Sequence, residues 1–561
     1  GTELSVAGTA VSGDIYGGGR NGATVNGGTQ IAVSAADIRG DVYGGGRDGA
    51  AVNGGTQILL QSGTLSGSFY GGGNAADVQG NTFVSAYWAI MSGAFYGGGN
   101  NGTVTGNASV EITAGVSGNW GGFEGEIYGG GNNGGVTGDT AVTLGNGDYL
   151  GNIYGGGNGA GGTVGGGTLV QLSGGTPKVT GDIYGGGNGG AAVTGSAAVG
   201  LSNGNAVIAG DVYGGGRNSV VSGGTMVNAA GGTAGGIHGG GSGSAASVMN
   251  GAEVKVGGNL RASAVFGGGA AGAVVEGGAK VTIAGGTPTA DIYGGGNAAD
   301  VRGDTVVSAN WTQLAGSVYG GGRNGDVTGN AEVWILAGDS GNWGGVTGDV
   351  YGGGNGGAVA GRTEITLGHG DYLGNIFGGG TGAGGTVGSG TLFHFTSDGT
   401  VRISGHIYGG GDNGAVVSNG AVVDLNNKNA VVNGDVYGGG RNAAVDGGTT
   451  VRISGGTVTN VYGGGRGGQV NGDAVLLIAG GNITGEAFAG GSGGLVTGNT
   501  RLVLNTSVDG DIYGGGKNGN VAGNAAVEVN ANFRGDIYGG GCSGAVFGRI
   551  VITIAAGCDA A

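Results

Sequence analysis

Glycine supplies 161 of the 561 residues and proline only 2, so a collagen-like triple helix is ruled out: there is neither a G-X-Y period nor proline to stiffen one. Charged side chains make up 10% of the chain, too few for a solvated polyelectrolyte, and a formal net charge of −16 excludes a basic nucleic-acid binder. No apolar run reaches the roughly 18 residues that a membrane-spanning helix requires. The sequence opens at Gly1 rather than Met, and any signal peptide or wall anchor is expected to lie outside it.

The first recognisable element is Asp14-Ile15-Tyr16-Gly17-Gly18-Gly19, and its pattern of an aliphatic residue, an aromatic and glycines occurs twenty times. The aromatic slot holds Tyr16, Tyr43, Tyr70, Tyr96, Tyr128, Tyr154, Tyr184 and Tyr213, then His238 and Phe266, and continues from Tyr293 to Tyr538. Between one aromatic and the next lie 25 to 32 residues with a period of two: Ile31 and Val33 alternate with Gln30, Ala32 and Ser34, as in a half-buried strand. Asn21-Gly22 and Asn26-Gly27-Gly28 are turn signals, because Asn and Gly tolerate positive φ. Each unit therefore predicts three short strands, and no segment carries the apolar stripe of a helix. The predicted fold is all-β, a parallel β-solenoid of right-handed coils. At about 4.8 Å per coil, twenty coils would make a rod about 90 Å long.

Within a unit the residue before the aromatic (Ile, Val, Phe or Ala) is expected to face inward. Alternation then turns the Tyr outward over the ground left by the glycines, giving an exposed ladder of rings. Ring stacking along the solenoid explains such a ladder as structure; binding of sugar faces is the alternative. Each glycine in a strand costs about 0.5–1 kcal/mol relative to Ala, so the path must require them, through tight corners, close backbone approach, or room for the ring. Asp or Glu precedes many of the pairs, as at Asp14, Asp41, Glu126, Asp182 and Asp211, and reads as a Gly-Asp turn bonded to its own backbone. A basic residue follows the glycines at Arg20, Arg47, Arg217, Arg323, Arg441, Arg466 and Lys517. Too far along the strand to meet the acid within a coil, it reads as a separate polar stripe. No metal site is expected, since the calcium-binding nonapeptide pattern is not matched.

Further along, the spacing of the aromatics repeats after eight units, with corresponding residues offset by 222 to 224. The chain is thus expected to be one continuous solenoid: blocks at about 1–222 and 223–446, a partial third at 447–541, and a capping coil at 542–561. Gly147-Asp148-Tyr149-Leu150-Gly151-Asn152 returns as Gly370-Asp371-Tyr372-Leu373-Gly374-Asn375. The two longest units carry Trp120 and Trp343 in glycine-flanked insertions, expected to leave the wall as loops. These indoles, with Tyr149 and Tyr372, are the candidate binding residues. Eight coils would set the two loops about 38 Å apart, a spacing suited to bivalent capture of a long glycan. Trp88 and Trp311, also in phase, read as packing residues. The histidines His238, His369, His394 and His406 have Tyr, Asn, Gln and Asp as block counterparts and read as surface drift rather than catalysis. The only cysteines, Cys542 and Cys558, fall in the last coil, where a disulfide closing the open end is expected, with two free thiols as the alternative.

The stretch Ile127-Tyr128-Gly129-Gly130-Gly131-Asn132-Asn133-Gly134-Gly135-Val136-Thr137-Gly138-Asp139, repeated with variation over nearly the whole chain, resembles the glycine-rich repeats of large bacterial surface proteins of the adhesin type. That resemblance implies a secreted or cell-surface β-solenoid stalk. The expected function is a structural and adhesive rod that holds binding surfaces away from a cell. Its expected partners are a glycan or a host or cell-surface protein, with end-to-end or lateral self-association, and without nucleic acid, a membrane span or a cofactor. A polysaccharide-active β-helix enzyme is the alternative. An ice-binding or filament-forming solenoid ranks third, for want of sustained Thr-x-Thr ranks on one face.

Overall fold

The computed structural model describes residues 1–87, 89–113, 122–285, 291–310, 312–336, 344–396 and 399–558. The chain divides into two compact units, Gly1–Lys280 and Val281–Ala561. Each is a β-solenoid of short strands, with no helix among the described residues. The pairing is parallel and in unbroken register: Thr29–Ser34 lies between Thr2–Ala7 of the preceding coil and Thr56–Leu60 of the following one, Ile31 facing Leu4 and Ile58.

The coil that starts at Ile15 shows how the sequence folds. Ile15–Tyr16 is a two-residue strand, and the glycine triplet carries the chain to Arg20, which bridges Arg47 of the next coil. Asn21 and Gly22 turn the chain with φ of 54° and 77°, the left-handed conformation their side chains permit. A second short strand, Val25–Asn26, leads to the long strand Thr29–Ser34, and a fourth segment, Ala36–Ile38, closes the coil. The coil thus has four strand segments rather than the expected three. Thr29–Ser34 alternates buried and half-buried positions, which places Thr29, Ile31 and Val33 inside. The residue before the aromatic is also inside, as expected, with Ile537 of the last coil only partly covered: Val42, Phe69 and Phe95 are buried, and Val52, Val78, Val104 and Val136 form a further internal column.

Of the three explanations open for the glycine triplets, close backbone approach is the one the structure supports. A Cβ on Gly18 would lie 2.6 Å from the Gly46 nitrogen of the next coil, and one on Gly45 would lie 2.7 Å from the Gly73 Cα. Stripped of side chains, successive triplets hydrogen-bond directly, Gly18 N–H to Gly45 O and Gly45 N–H to Gly72 O, both at 3.0 Å. Into this seam reaches a buried threonine that opens the long strand. Thr29 donates its hydroxyl to Gly44 O at 2.6 Å, and Thr82, Thr140, Thr363 and Thr500 repeat the bond at the same length to Gly97, Gly155, Gly378 and Gly514. At Ala108 and Ala331 the threonine is replaced by the smallest side chain that is not glycine, whereas the last coil carries Ile550 in this slot.

Gly45→Ala must therefore separate two coils, and should lower stability by about 1–3 kcal/mol. Gly204→Ala has nothing within 4 Å of the new methyl group and should stay within about 0.5 kcal/mol of the parent. Urea midpoints of the two variants test this; equal shifts would remove close approach as the reason for the triplets.

Candidate functional site: the aromatic ladder and its polar flanks

The Tyr side chain lies on the opposite strand face from its inward neighbour. The rings stack on one another: from Tyr16 to Phe266 the centroids are 4.7–5.0 Å apart and within 13° of parallel. In the second unit the ladder from Tyr293 to Tyr538 is as regular, at 4.5–5.0 Å. The expectation of an exposed row is corrected here. Tyr43, Tyr70, Tyr96, Tyr128, Tyr154, Tyr184 and Tyr213 are all buried, because neighbouring rings cover both faces and polar side chains close over the edges. Tyr16 is half-buried, and Tyr538 is exposed.

One closing column is the slot two residues before the ring, on the same strand face, which holds Asp or Glu in eleven of the twenty coils. Tyr43 donates its phenol to Asp41 at 3.1 Å, Tyr184 to Asp182 at 3.0 Å and Tyr437 to Asp435 at 3.0 Å; Tyr128 does the same to Glu126. The other carboxylate oxygen accepts the main-chain N–H of the equivalent residue one coil on: Asp14 from Asp41 at 3.0 Å, Asp41 from Ser68 at 2.8 Å, Asp182 from Asp211 at 2.8 Å. The Asp side chain thus bonds the next coil's backbone rather than its own, which corrects the turn reading. Histidine takes the same part. His406, in the acid slot, accepts the Asp435 N–H on Nδ1 at 2.9 Å, and His369 accepts the Thr400 N–H at 2.9 Å, so these two rings are coil-to-coil acceptors rather than drift.

The second closing column is the residue after the glycines, and it reaches across two coils. Asn188 donates to the Tyr128 phenol at 3.3 Å, Asn74 to Tyr16 at 3.5 Å, and Arg466 to Tyr408 at 3.3 Å. Within that column Asn74, Asn100, Asn132, Asn158 and Asn188 form an amide ladder with steps of 3.0–3.4 Å. The acid and post-glycine columns do meet between coils, as Lys517 pairs with Glu486 at 3.2 Å, so they are not separate stripes.

Two departures follow the same rules. In one coil of the first unit the acid is Gly236 and the ring is His238, which is buried between Tyr213 and Phe266. Its Nε2 lies 3.7 Å from Asp211, and its Nδ1 has no partner. The imidazole, with the Gly236 N–H, holds the Asp211 carboxyl down at about 2. In the second unit the ring is Phe377, which offers no hydroxyl to Arg441 two coils on. Arg441 instead grips the buried Asp412 with two bonds of 2.8 and 2.7 Å, its guanidinium 5.0 Å above the Phe377 ring.

The other expected site residues fare differently. Tyr149 and Tyr372 are buried, and their phenols donate to main-chain carbonyls: Gly145 and Ile112 at 3.1 and 3.2 Å, Gly368 and Ile335 at 3.0 and 3.1 Å. They lock a turn in each block and present no face to a ligand, which corrects their place among the binding residues. Trp120 and Trp343, like Trp88 and Trp311, lie outside the described residues. Cys542 and Cys558 are both free thiols, so the expected disulfide is not formed. Cys542 occupies the post-glycine slot, whereas Cys558 follows the last strand with its sulfur 4.0 Å from Val529 O. Among the described residues no group of three or more His, Cys, Asp or Glu side chains gathers as a metal set.

Two outcomes test the ladder. Burial, then the carboxylates Asp41 and Asp291, push the Tyr70 and Tyr293 phenols up to about 12. An unfolded tyrosine titrates near about 10, so this stabilisation is complete below that pH and is lost as pH rises through the folded value. Absorbance at 295 nm should therefore rise together with loss of the β-sheet circular dichroism signal; phenol ionisation with the fold intact would contradict buried rings. Asp412→Asn should cost about 1–3 kcal/mol by leaving Arg441 half-buried without its carboxylate. Adding Phe377→Tyr should recover part of that by restoring a phenol for the guanidinium, and thermal melts of the single and double variants measure both. No family model, curated protein or solved structure matches the chain.

Proposed function

We propose that the chain is a structural scaffold displayed outside the cell, whose outward surfaces are adhesive. One observation carries the reading: in the coils that carry an acid before the ring, the groups able to do chemistry in the repeated motif are committed to holding coil to coil. The phenols donate to carboxylates, the carboxylates accept the next coil's N–H, and threonine hydroxyls bond to glycine carbonyls. A polar system of this kind stiffens a stack and leaves its outward strand faces free to vary. The glycine-rich repeat, with its resemblance to bacterial surface proteins, supports the extracellular location, and a glycan or a cell-surface protein is the proposed partner.

Antibody raised against the chain is expected to label intact source cells, and beads coated with the chain to adhere to glycan- or cell-coated surfaces. Labelling only after permeabilisation would overturn display, and release of oligosaccharides from a polysaccharide panel would favour an enzyme.

A further inference from the structure

The duplicated blocks allow the protein to be compared with itself, and they differ most tellingly on the outward face of the long strands. In the second unit the register aligns Trp334 with Thr366, Thr366 with His394, His394 with Asp424, and Asp424 with Arg452. The equivalent row in the first unit reads Glu111, Thr143, Gln171, Gly200, Asn228. Only the threonine is common to both. Elsewhere Glu has become Trp, Gln has become His, Gly has become Asp and Asn has become Arg, so a row of mostly uncharged side chains faces one that carries an indole, an imidazole and a charge of each sign.

We propose that the outward side chains of this row, Trp334, His394, Asp424 and Arg452, with the buried Thr366 holding His394, bind an uncharged polysaccharide laid along the coil stack. This rests on the display reading and adds a site and a ligand class to it. Trp334 is 40% exposed, and its Nε1 donates to Glu332 at 3.2 Å, which fixes the indole on the sheet surface. An indole held in that way offers the flat apolar face on which the C–H side of a pyranose ring stacks. His394 is oriented in turn: its Nε2 lies 3.0 Å from the Thr366 hydroxyl and 3.1 Å from Glu364, and Arg362 holds Glu364 from the other side. Asp424 and Arg452 are neighbours in register yet form no ion pair among the described residues. A half-buried carboxylate and an exposed guanidinium thus remain for ligand hydroxyls, the carboxylate as acceptor and the guanidinium as a fork of donors. The row advances one side chain per coil, about 4.8 Å, and spans about 19 Å from end to end. One coil is close to the length of one pyranose residue, so successive sugars of an extended chain meet successive coils in step.

Charge selects within the glycans. The carboxylates Glu332, Glu364 and Asp424 outnumber the guanidiniums Arg362 and Arg452 around the row, which disfavours a polyuronate relative to a neutral hexose polymer. The same carboxylates oppose the phosphate backbone of a nucleic acid.

The test uses the full chain on a panel of neutral β-linked hexose polymers and polyuronates, read by affinity electrophoresis and calorimetry. Binding to at least one neutral polymer is expected, weakened tenfold or more by Trp334→Ala and also reduced by Arg452→Ala. Both side chains are exposed, so the melting temperature should not move. Trp334→Phe should retain part of the affinity, which a merely structural indole would not require. The complementary first-unit variant Glu111→Trp/Gly200→Asp/Asn228→Arg should raise the number of binding sites per chain. No neutral polymer bound, an unchanged affinity in Trp334→Ala, or binding to polyuronates alone would each overturn the proposal. Intact-cell labelling would stand apart from any of these results, so failure of the row is distinguishable from failure of the display reading.

Discussion

The separation between hydrogen-bonded strands, about 4.8 Å, is the distance to which the rest of the molecule conforms. It is close to the stacking distance of aromatic rings, and it allows a carboxylate on one coil to accept the N–H of the next. Where two backbones must come closer than side chains permit, only glycine satisfies it. The triplets at Gly17–Gly19 and Gly44–Gly46 are the direct result: a methyl group on the first two glycines would meet the main chain of the next coil, and one on the third would meet the carbonyl of Ala23 or Ala50 across the turn. Backbone entropy is surrendered for a seam in which main chain packs on main chain and Thr29 anchors its hydroxyl to Gly44.

From that spacing comes an economy of polar groups. A phenol buried in a stack of rings would be left short of partners unless an acceptor travelled with it, and Asp41 travels two residues away on the same face as Tyr43. The same carboxylate then has an oxygen left for Ser68 N–H, so one side chain ties its own ring and the coil beyond. His406 can replace an acid in this second task because a neutral imidazole nitrogen accepts the same bond. At this position His406 thus replaces an acid as an acceptor of the next coil's N–H, not as a charge.

Sequence alone disclosed the coils, their inward positions and their parallel stacking, because each depends on residues one or two apart: Ile31 and Val33 against Ala32, or Val42 before Tyr43. The burial of the rings escaped it. What covers Tyr16 includes Asn74, 58 residues later and two coils away, and no local pattern records that distance. Alternation correctly put Tyr16 on the face opposite Ile15, but a face outside the aliphatic core is not a face in water when further coils supply a second covering. The threonine seam was hidden likewise, since the partner of Thr29 is the carbonyl of Gly44 rather than a side chain. Tyr149 and Tyr372 misled because recurrence in two blocks suits a locked turn as well as a ligand contact. The row from Trp334 to Arg452 required register, as its members stand 28 to 32 residues apart in sequence and side by side on the sheet.

The reach of the post-glycine side chains over two coils bears on how such a chain can grow. If every contact joined only adjacent coils, a single coil could be inserted or lost with one junction to mend. Because Asn188 serves Tyr128 and Arg466 serves Tyr408, an inserted coil re-pairs every phenol whose partner lay across the insertion, exchanging a matched residue for whichever one arrives. Phe377 with Arg441 and Asp412 shows that such partners are matched as a set. Copying a long block keeps almost all of these pairs together and disturbs them only at its two edges. The eight-coil duplication is thus the kind of change that the ladder's own wiring makes least disruptive, and the gene's unit of inheritance is longer than its unit of structure.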